Sequence, residues 1–438
     1  MVSFAKVSPV LKIHHCDKHI EGSITVSGAK NAVLPIIAAA TLFKNATIKR
    51  VPLIIDVENM LNIMEVLGFK INLLKKDNYK NEVSIERENS LNNHVPHYLC
   101  EKIRASILFL GALLSMRQEV FIYYPGGCKL GFRPINYHIR SLKEMGAKFS
   151  FRGDLIIAKA RELKGCDIRL PFPSVGATEN IILAAVSAKG QTRIFNAAIE
   201  PEIIDMINFL KRGGVKIKVF PVERIIEVNG DNSLPIDKNI THEVIPDRIE
   251  TLTYLALVAI LGGEIALRGV SFSFIQKPIE VLRALGVEIT SSNDTLRAKN
   301  FNEKPRINDI YIETYPYPGF PTDAHPIFLV IFLFSKCRAT IVEKVYENRF
   351  RYIEELKKMG AKVKVDFRKR EVTIQGPQIL KGTNVVATDL RGGAALILAG
   401  TKALGATILE NAWQVHRGYE DLINKFARLG ITIEQKER

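Results

Sequence analysis

One short pattern occurs six times in the 438 residues and constrains the fold more than any other feature. It reads roughly Leu-x-x-(Leu/Met/Gly)-Gly-(small or apolar)-x-(apolar): MEVLGFKI at Gly68, LKEMGAKF at Gly146, LKRGGVKI at Gly214, LRALGVEI at Gly286, LKKMGAKV at Gly360 and FARLGITI at Gly430. Successive glycines are 78, 68, 72, 74 and 70 residues apart, so six similar units fill nearly the whole chain. In each, an apolar-periodic helix ends at a Gly suited to the left-handed C′ position, and an alternating stretch then opens a strand. Roughly 30 residues ahead of each glycine lies another helix, as in LPIIAAATLF, ASILFLGALL, TENIILAAVS, ETLTYLALVAIL, HPIFLVIFLF and GGAALILAGT. These helices are apolar on nearly every face and belong at the centre of a domain. Each unit therefore reads helix, strand, helix, strand, strand, with a further strand before the first helix. A solenoid is set aside, because a repeat of ~70 residues with several strands is longer than solenoid repeats run. Three units can enclose their buried helices behind sheets, which predicts an α/β (α+β) fold of two similar domains. The midpoint falls in NSLPIDKNITHEVIP, near residues 240–246, read as a Pro- and polar-rich crossover. A cleft between two such domains is the default place for a ligand.

Composition narrows the class. Apolar residues make up 47% and charged residues 24%, which excludes intrinsic disorder and collagen-like repetition. The most apolar stretch, PIFLVIFLF, stops well short of the ~20 residues a spanning helix needs, so no membrane association is expected. The N-terminal residues have no apolar block ending in a small-residue cleavage site, so no signal peptide is expected. Five cysteines, an odd number without a CxxC pair, fit reduced thiols in a cytoplasmic protein better than disulfides or a zinc site. The net charge of +15 suits nucleic acid, anionic lipid or phosphorylated small molecules, and does not choose among them. P-loop, GxGxxG and HExxH motifs are absent, so nucleotide hydrolysis on a P-loop, nicotinamide chemistry and zinc hydrolysis lack support.

Four segments carry more polar chemistry than packing needs. Ser27-Gly28-Ala29-Lys30-Asn31 precedes the first buried helix, where small residues let backbones approach and a Lys adds charge to an anion-binding end; the plainer reading is a solvated Lys. Pro125-Gly126-Gly127-Cys128-Lys129-Leu130-Gly131-Phe132-Arg133-Pro134 places a thiol between two cations, which favours its thiolate, in a loop able to act as a lid; the alternative is a hairpin turn. Asp323, just before the fifth buried helix, reads by itself as a helix cap. Arg349, Arg391 and Arg417 stand at equivalent strand-to-helix junctions, from which three guanidinium groups can converge on phosphate or carboxylate; the alternative is surface ion pairs.

In these residues the chain resembles the enolpyruvyl transferase family from about residue 20 to 434. The matching segments are SGAKNAVLP, RASILFLG, PGGCKLGFRP, PSVGATEN, IEPEIID, PDRIET, PGFPTD, ENRF, ATDLR and HRGYE, in that order. The branch that makes enolpyruvylshikimate phosphate lacks the PGGC loop, so the branch that acts on a nucleotide sugar is the closer. The resemblance implies an inside-out α/β barrel of two domains, each of three βαβαββ units. Residues 30–245 would form one, and 1–29 with 246–438 the other. It also implies transfer of the enolpyruvyl group of phosphoenolpyruvate to the 3′-hydroxyl of UDP-N-acetylglucosamine, early in peptidoglycan synthesis, by a cytoplasmic monomer. Cys128 would be the acid and the target of the epoxide antibiotic fosfomycin, and Asp323 the base. Lys30, Arg133 and Arg417 would grip phosphoenolpyruvate with Arg391 nearby, and Asp389 would couple substrate position to closure. Asn31, Arg104, Pro134, Ile135, Asn136, Tyr137, Phe172, Pro173, Ser174, Val175, Gly176, Val345 and Arg349 would line the nucleotide-sugar site. No metal, organic cofactor or nucleic acid is implied.

The chain departs from the family pattern at Ala324-His325, where Met-Gln or Leu-Gln is usual, and at Gln414 and His416. Ile199 replaces a common Arg, and Gly392-Gly393 a common Ala-Ser. None of these removes a residue with an implied chemical step. A nucleic-acid binder of related fold would concentrate basic and stacking residues on one face. Here the lysines are spread over all six units. A paralogue that binds nucleotide sugar without turnover is the other alternative.

Overall fold

Alternating stretches such as Phe43–Lys49, which buries Ala46 and Ile48, and Gly190–Phe195, which buries Thr192 and Ile194, pair among the described residues into six separate sheets of one design. The computed structural model describes residues 10–88, 90–127, 134–230, 234–301 and 308–436. Within them the chain forms two units, residues 28–245 in one and residues 10–27 with 246–436 in the other.

Each sheet begins with a parallel pair and continues with two antiparallel ladders. In the first unit Ile236–Glu243 runs parallel to Phe43–Lys49, followed by Glu82–Arg87 and Phe69–Leu74. Asp167–Arg169 pairs likewise with Gly190–Phe195, then Ile225–Gly230 and Lys216–Phe220. The third sheet, Glu119–Tyr123, Leu155–Lys159 and Lys148–Arg152, has only a parallel bridge from His94 to Phe121 in the first position. The second unit repeats the plan. Ile20–Thr25 leads Gly263–Arg268, Thr295–Asn300 and Glu288–Ser292. Asp309–Glu313 leads Arg338–Val342, Glu371–Gln375 and Val363–Asp366. Asn384–Val386 leads Thr407–Glu410, Val10–Ile13 and Ile433–Lys436.

The all-round apolar helices are Lys30–Ala40, Leu108–Leu114 and Val175–Ala185 in the first unit, and Arg248–Leu261, His325–Phe334 and Leu390–Lys402 in the second. They are buried along almost their whole length and pack on one another within each unit. Helices thus lie inside and sheets outside. The sheets are open, and none closes on itself among the described residues. No described helix is long and apolar enough to cross a membrane.

All six motif glycines take φ between +79° and +102°, ending the outer helix of each repeat as the pattern predicts. The stretch before residue 246 differs from its reading as a polar crossover. Most of it is the strand Ile236–Glu243, whose buried Ile240 and His242 face the interior, and His242 Nε2 lies 2.9 Å from Asp205 Oδ1.

Candidate active site

In the second unit the turn Thr322–Ala324 opens the His325–Phe334 helix, with Pro326 in the first turn where its missing N–H costs nothing. Asp323 does not cap that helix. Its Oδ1 accepts from Arg349 Nη2 at 2.8 Å, and its Oδ2 accepts from Arg391 Nε at 3.3 Å. Arg349 also donates to the Thr322 carbonyl at 3.1 Å. Both arginines are buried, whereas the Asp323 side chain keeps 27% of its surface accessible, so the carboxylate is the member open to a substrate. Burial works against the charge of Arg349, but Asp323, Asp389 and Glu343 outweigh it and hold its pKa above the ordinary guanidinium value. Arg391 is held up in the same way by Tyr419, Asp323 and Asp247, and lies over the Tyr419 ring at 5.5 Å.

Asp389 is the N-cap of Leu390–Lys402, accepting from the Arg391 and Gly392 N–H groups at 3.0 Å each. That cap fixes the turn from which Arg391 reaches Asp323. Gly392 and Gly393 fit their places closely. A Cβ would stand 2.8 Å from Tyr352 Cβ at Gly392 and 2.7 Å from Val415 Cγ2 at Gly393, so the Ala-Ser usual in the family would need local shifts. Arg417 is buried after the Trp413–His416 helix, and its Nη1 donates to the Gln414 side chain at 3.2 Å. Burial lowers the pKa of the neighbouring His416, so its ring favours the neutral form. The Val345 N–H donates to the buried carboxylate of Glu343 at 2.9 Å.

The first unit positions the remaining residues. A Cβ on Gly28 would overlap the Arg50 carbonyl oxygen, so the close approach expected before Lys30 is real. Lys30 opens its helix and forms an ion pair with Asp56 Oδ2 at 2.6 Å, both side chains being largely buried. Asn31, beside it, is half-buried. Arg104 Nη2 donates to the Pro134 carbonyl at 3.4 Å, which brings two expected lining residues together. The entry to the glycine-rich loop rests on the same segment: a Cβ on Gly126 would overlap the Glu101 carbonyl, and one on Gly127 would lie 2.9 Å from Arg104 N.

Ile135 is buried at the start of Asn136–Glu144, with Asn136 exposed and Tyr137 half-buried. Phe172 and Pro173 lead into Ser174, which caps Val175–Ala185 through Ala177 N. Gly176 leaves room for His138, whose Nδ1 lies 2.9 Å from Asn180 Nδ2. Asn180 also holds Gly111 N and the Ile107 carbonyl, so a single buried amide ties these segments together. Cys128 and Arg133 lie outside the described residues. Sequence reasoning missed Asp56, Thr322 and Glu343. The available signal for Glu343 was a charged residue closing the apolar strand just ahead of Val345. Among the described residues no group of three or more His, Cys, Asp or Glu is placed to hold a metal ion.

A family model described as EPSP synthase (3-phosphoshikimate 1-carboxyvinyltransferase) matches residues 15–426. The UDP-N-acetylglucosamine 1-carboxyvinyltransferase 1 of Carboxydothermus hydrogenoformans is 41% identical over 421 residues, covering 95% of this chain and 96% of that protein. The UDP-N-acetylglucosamine 1-carboxyvinyltransferase of Finegoldia magna is 39% identical, covering 96% and 97%. Among solved structures, the enolpyruvyl transferase NikO from Streptomyces tendae has a TM-score of 0.87 at 22% identity, covering 98% of this chain and 99% of that one. EPSP synthase from Acinetobacter baumannii has a TM-score of 0.74 at 17% identity, covering 98% and 100%. Those two likenesses establish the fold. With the family model spanning most of the chain and relatives near 40% identity over almost all of it, this chain belongs to the enolpyruvyl transferase family.

Proposed function

We propose that the chain is an enzyme that transfers the enolpyruvyl group of phosphoenolpyruvate to the 3′-hydroxyl of UDP-N-acetylglucosamine, releasing phosphate, as the first committed step of peptidoglycan synthesis. The observation that carries this reading is the Asp323 carboxylate, partly open and held between two buried arginines. The names of the relatives near 40% identity support the substrate pair.

The chemistry needs an acid, a base and cations. Protonation of C3 of phosphoenolpyruvate makes C2 electrophilic, and the sugar oxygen bonds to C2 as its proton passes to a base. Loss of the C3 proton and cleavage of the bond between C2 and the phosphate oxygen then yield the enol ether and phosphate. Cys128 supplies the first proton and Asp323 accepts the hydroxyl proton. Lys30, Arg133, Arg391 and Arg417 hold the phosphate and carboxylate charge. Asp389 couples substrate position to closure, through the cap that sets Arg391. Asn31, Arg104, residues 134–137 and 172–176, Val345 and Arg349 hold the nucleotide sugar. The enzyme acts as a monomer in the cytoplasm. Supporting that compartment, the described cysteines Cys16, Cys100, Cys166 and Cys337 are unpaired, and burial pushes the thiols of Cys100 and Cys337 up to about 11.

Phosphate release is the test. The wild type should release phosphate only when both substrates are present, and Asp323→Asn and Cys128→Ala should each reduce the rate at least about 100-fold. Fosfomycin should add its mass to the wild type and not to Cys128→Ala. Binding of nucleotide sugar without phosphate release by the wild type would make the chain a non-catalytic binder. Full activity of Asp323→Asn would remove the base from its role.

A further inference from the structure

We infer that Glu343, together with His325, is the positioning group that aims the Asp323 carboxylate and fixes the backbone leading to Val345 and Arg349. The inference rests on the reading of Asp323 as the base. Glu343 follows the strand Arg338–Val342 and is fully buried, where a carboxylate persists only if its lone pairs are filled. Five donors fill them. Oε1 accepts from the Thr314 hydroxyl at 2.9 Å, from Val345 N at 2.9 Å and from Tyr346 N at 3.0 Å. Oε2 accepts from the Thr322 hydroxyl at 2.9 Å and from His325 Nδ1 at 3.1 Å.

An ionised carboxylate only accepts hydrogen bonds, so His325 carries its proton on Nδ1. Its Nε2 is buried without a hydrogen-bond partner, as suits a neutral ring. Burial holds the imidazole below its ordinary pKa against the pull of Glu343. Burial would raise Glu343, but the hydrogen bond from His325 Nδ1, the Arg349 charge and the Tyr346 N–H bring it down to about 2. The ring is wedged edge-on against Phe350 at 5.4 Å and Tyr352 at 6.1 Å between centroids, which keeps it from turning away.

The placement of the donors gives the pair its role. Thr322 immediately precedes Asp323 and His325 follows it by two residues, so Glu343 holds the turn from both sides. Val345 and Tyr346 begin the segment that reaches Arg349, the partner of Asp323 Oδ1. One buried carboxylate therefore sets both the base and the cation that orients it. A misplacement of about 1 Å at a reacting group can cost on the order of 100-fold in rate, which is the scale on which such an anchor acts. His325 stands where the family usually has Gln, and in this chain it meets Glu343 with an aromatic donor of fixed direction.

Thr322→Val removes one donor while conserving shape, and Thr322→Ser keeps the donor. In phosphate release, Thr322→Val should lower kcat about ten-fold with KM for both substrates within two-fold of wild type, and Thr322→Ser should restore kcat. Glu343→Gln should lower kcat and also raise KM for the nucleotide sugar, because the grip on the Val345 and Tyr346 amides weakens. If kcat of both Thr322→Val and Glu343→Gln stays within two-fold of wild type, the role is overturned. A second readout does not depend on activity. Amide hydrogen exchange at Val345 and Tyr346 should be at least three-fold faster in Glu343→Gln than in wild type, and unchanged exchange would overturn the anchoring. A wild type inactive on this substrate pair but showing that exchange difference would refute the proposed reaction and leave the anchor standing.

Discussion

Glu179 lies in the Val175–Ala185 helix near Glu200 and Glu202, and burial followed by those two charges lifts its carboxyl well above the ordinary value. A carboxyl with a raised folded-state pKa contributes its stability below the unfolded value, and that contribution is lost as pH rises through the folded value. Glu343 has the opposite sign. With its pKa near 2, against 4.5 for the free side chain, its contribution is present above pH 4.5 and disappears as pH falls toward 2. Glu179→Gln, which cannot ionise, should therefore gain on wild type as pH rises. Thermal midpoints measured from pH 5 to 8 should show a widening advantage for the variant, and a constant difference would place the Glu179 carboxyl at an ordinary value. Residues of this kind were not legible in the sequence. Arg349 and Arg391 were, because charged side chains at repeated strand-to-helix junctions stand out from packing, whereas Asp323 by itself reads as a helix cap and takes its role only from the family resemblance. Asp56 and Glu343 acquire meaning only from Lys30, Thr314, Thr322 and His325, and folding alone brings those partners within hydrogen-bond reach.

The elements were largely readable because their signals are local. An all-round apolar run cannot be a surface helix, and a Gly after an amphipathic run at a spacing near 72 residues ends one. Ile236–Glu243 escaped notice because Asp237, Lys238 and Asn239 are all exposed and hide the alternation, while its partner Phe43–Lys49 is far away in sequence. The glycines separate two kinds of constraint. Gly360 has φ +95° and nothing within 4 Å of the point where a Cβ would stand, so Gly360→Ala meets only the left-handed backbone, about 1–2 kcal/mol. Gly28 has no such backbone demand, but a Cβ there would overlap the Arg50 carbonyl and lie 3.4 Å from Pro52 Cδ. Gly28→Ala must displace backbone at the start of the Lys30 helix. Urea unfolding should show a larger loss for Gly28→Ala than for Gly360→Ala, with weakened phosphoenolpyruvate binding in Gly28→Ala alone. The reverse order of stabilities would contradict the close-approach argument.

Across the whole molecule, the repeats are complete only when segments distant in sequence are counted together. The leading strand of the first sheet is Ile236–Glu243, which precedes the fourth core helix, and that of the fourth is Ile20–Thr25, which precedes the first. The sixth sheet takes its third strand from Val10–Ile13. Among the described residues, segment 28–245 therefore contains every strand of its own unit, whereas the segment from 246 onward lacks two. The missing strands bury Leu11, Ile13, Ile20 and Ile24 almost completely. Each such side chain contributes about 1.5–3 kcal/mol on burial, so the four together rival the net stability of a whole domain, about 5–15 kcal/mol. Loss of Val10–Ile13 also separates Thr407–Glu410 from Ile433–Lys436, leaving two bare edges where a sheet should be continuous. Fragment 28–245 should accordingly unfold cooperatively in urea with native-like near-ultraviolet circular dichroism. Fragment 246–438 should show neither property until a peptide of residues 10–27 is added, and should then regain both in proportion to peptide concentration. Cooperative unfolding of 246–438 with the same midpoint with and without the peptide would mean that the two strands decorate the second unit rather than complete it.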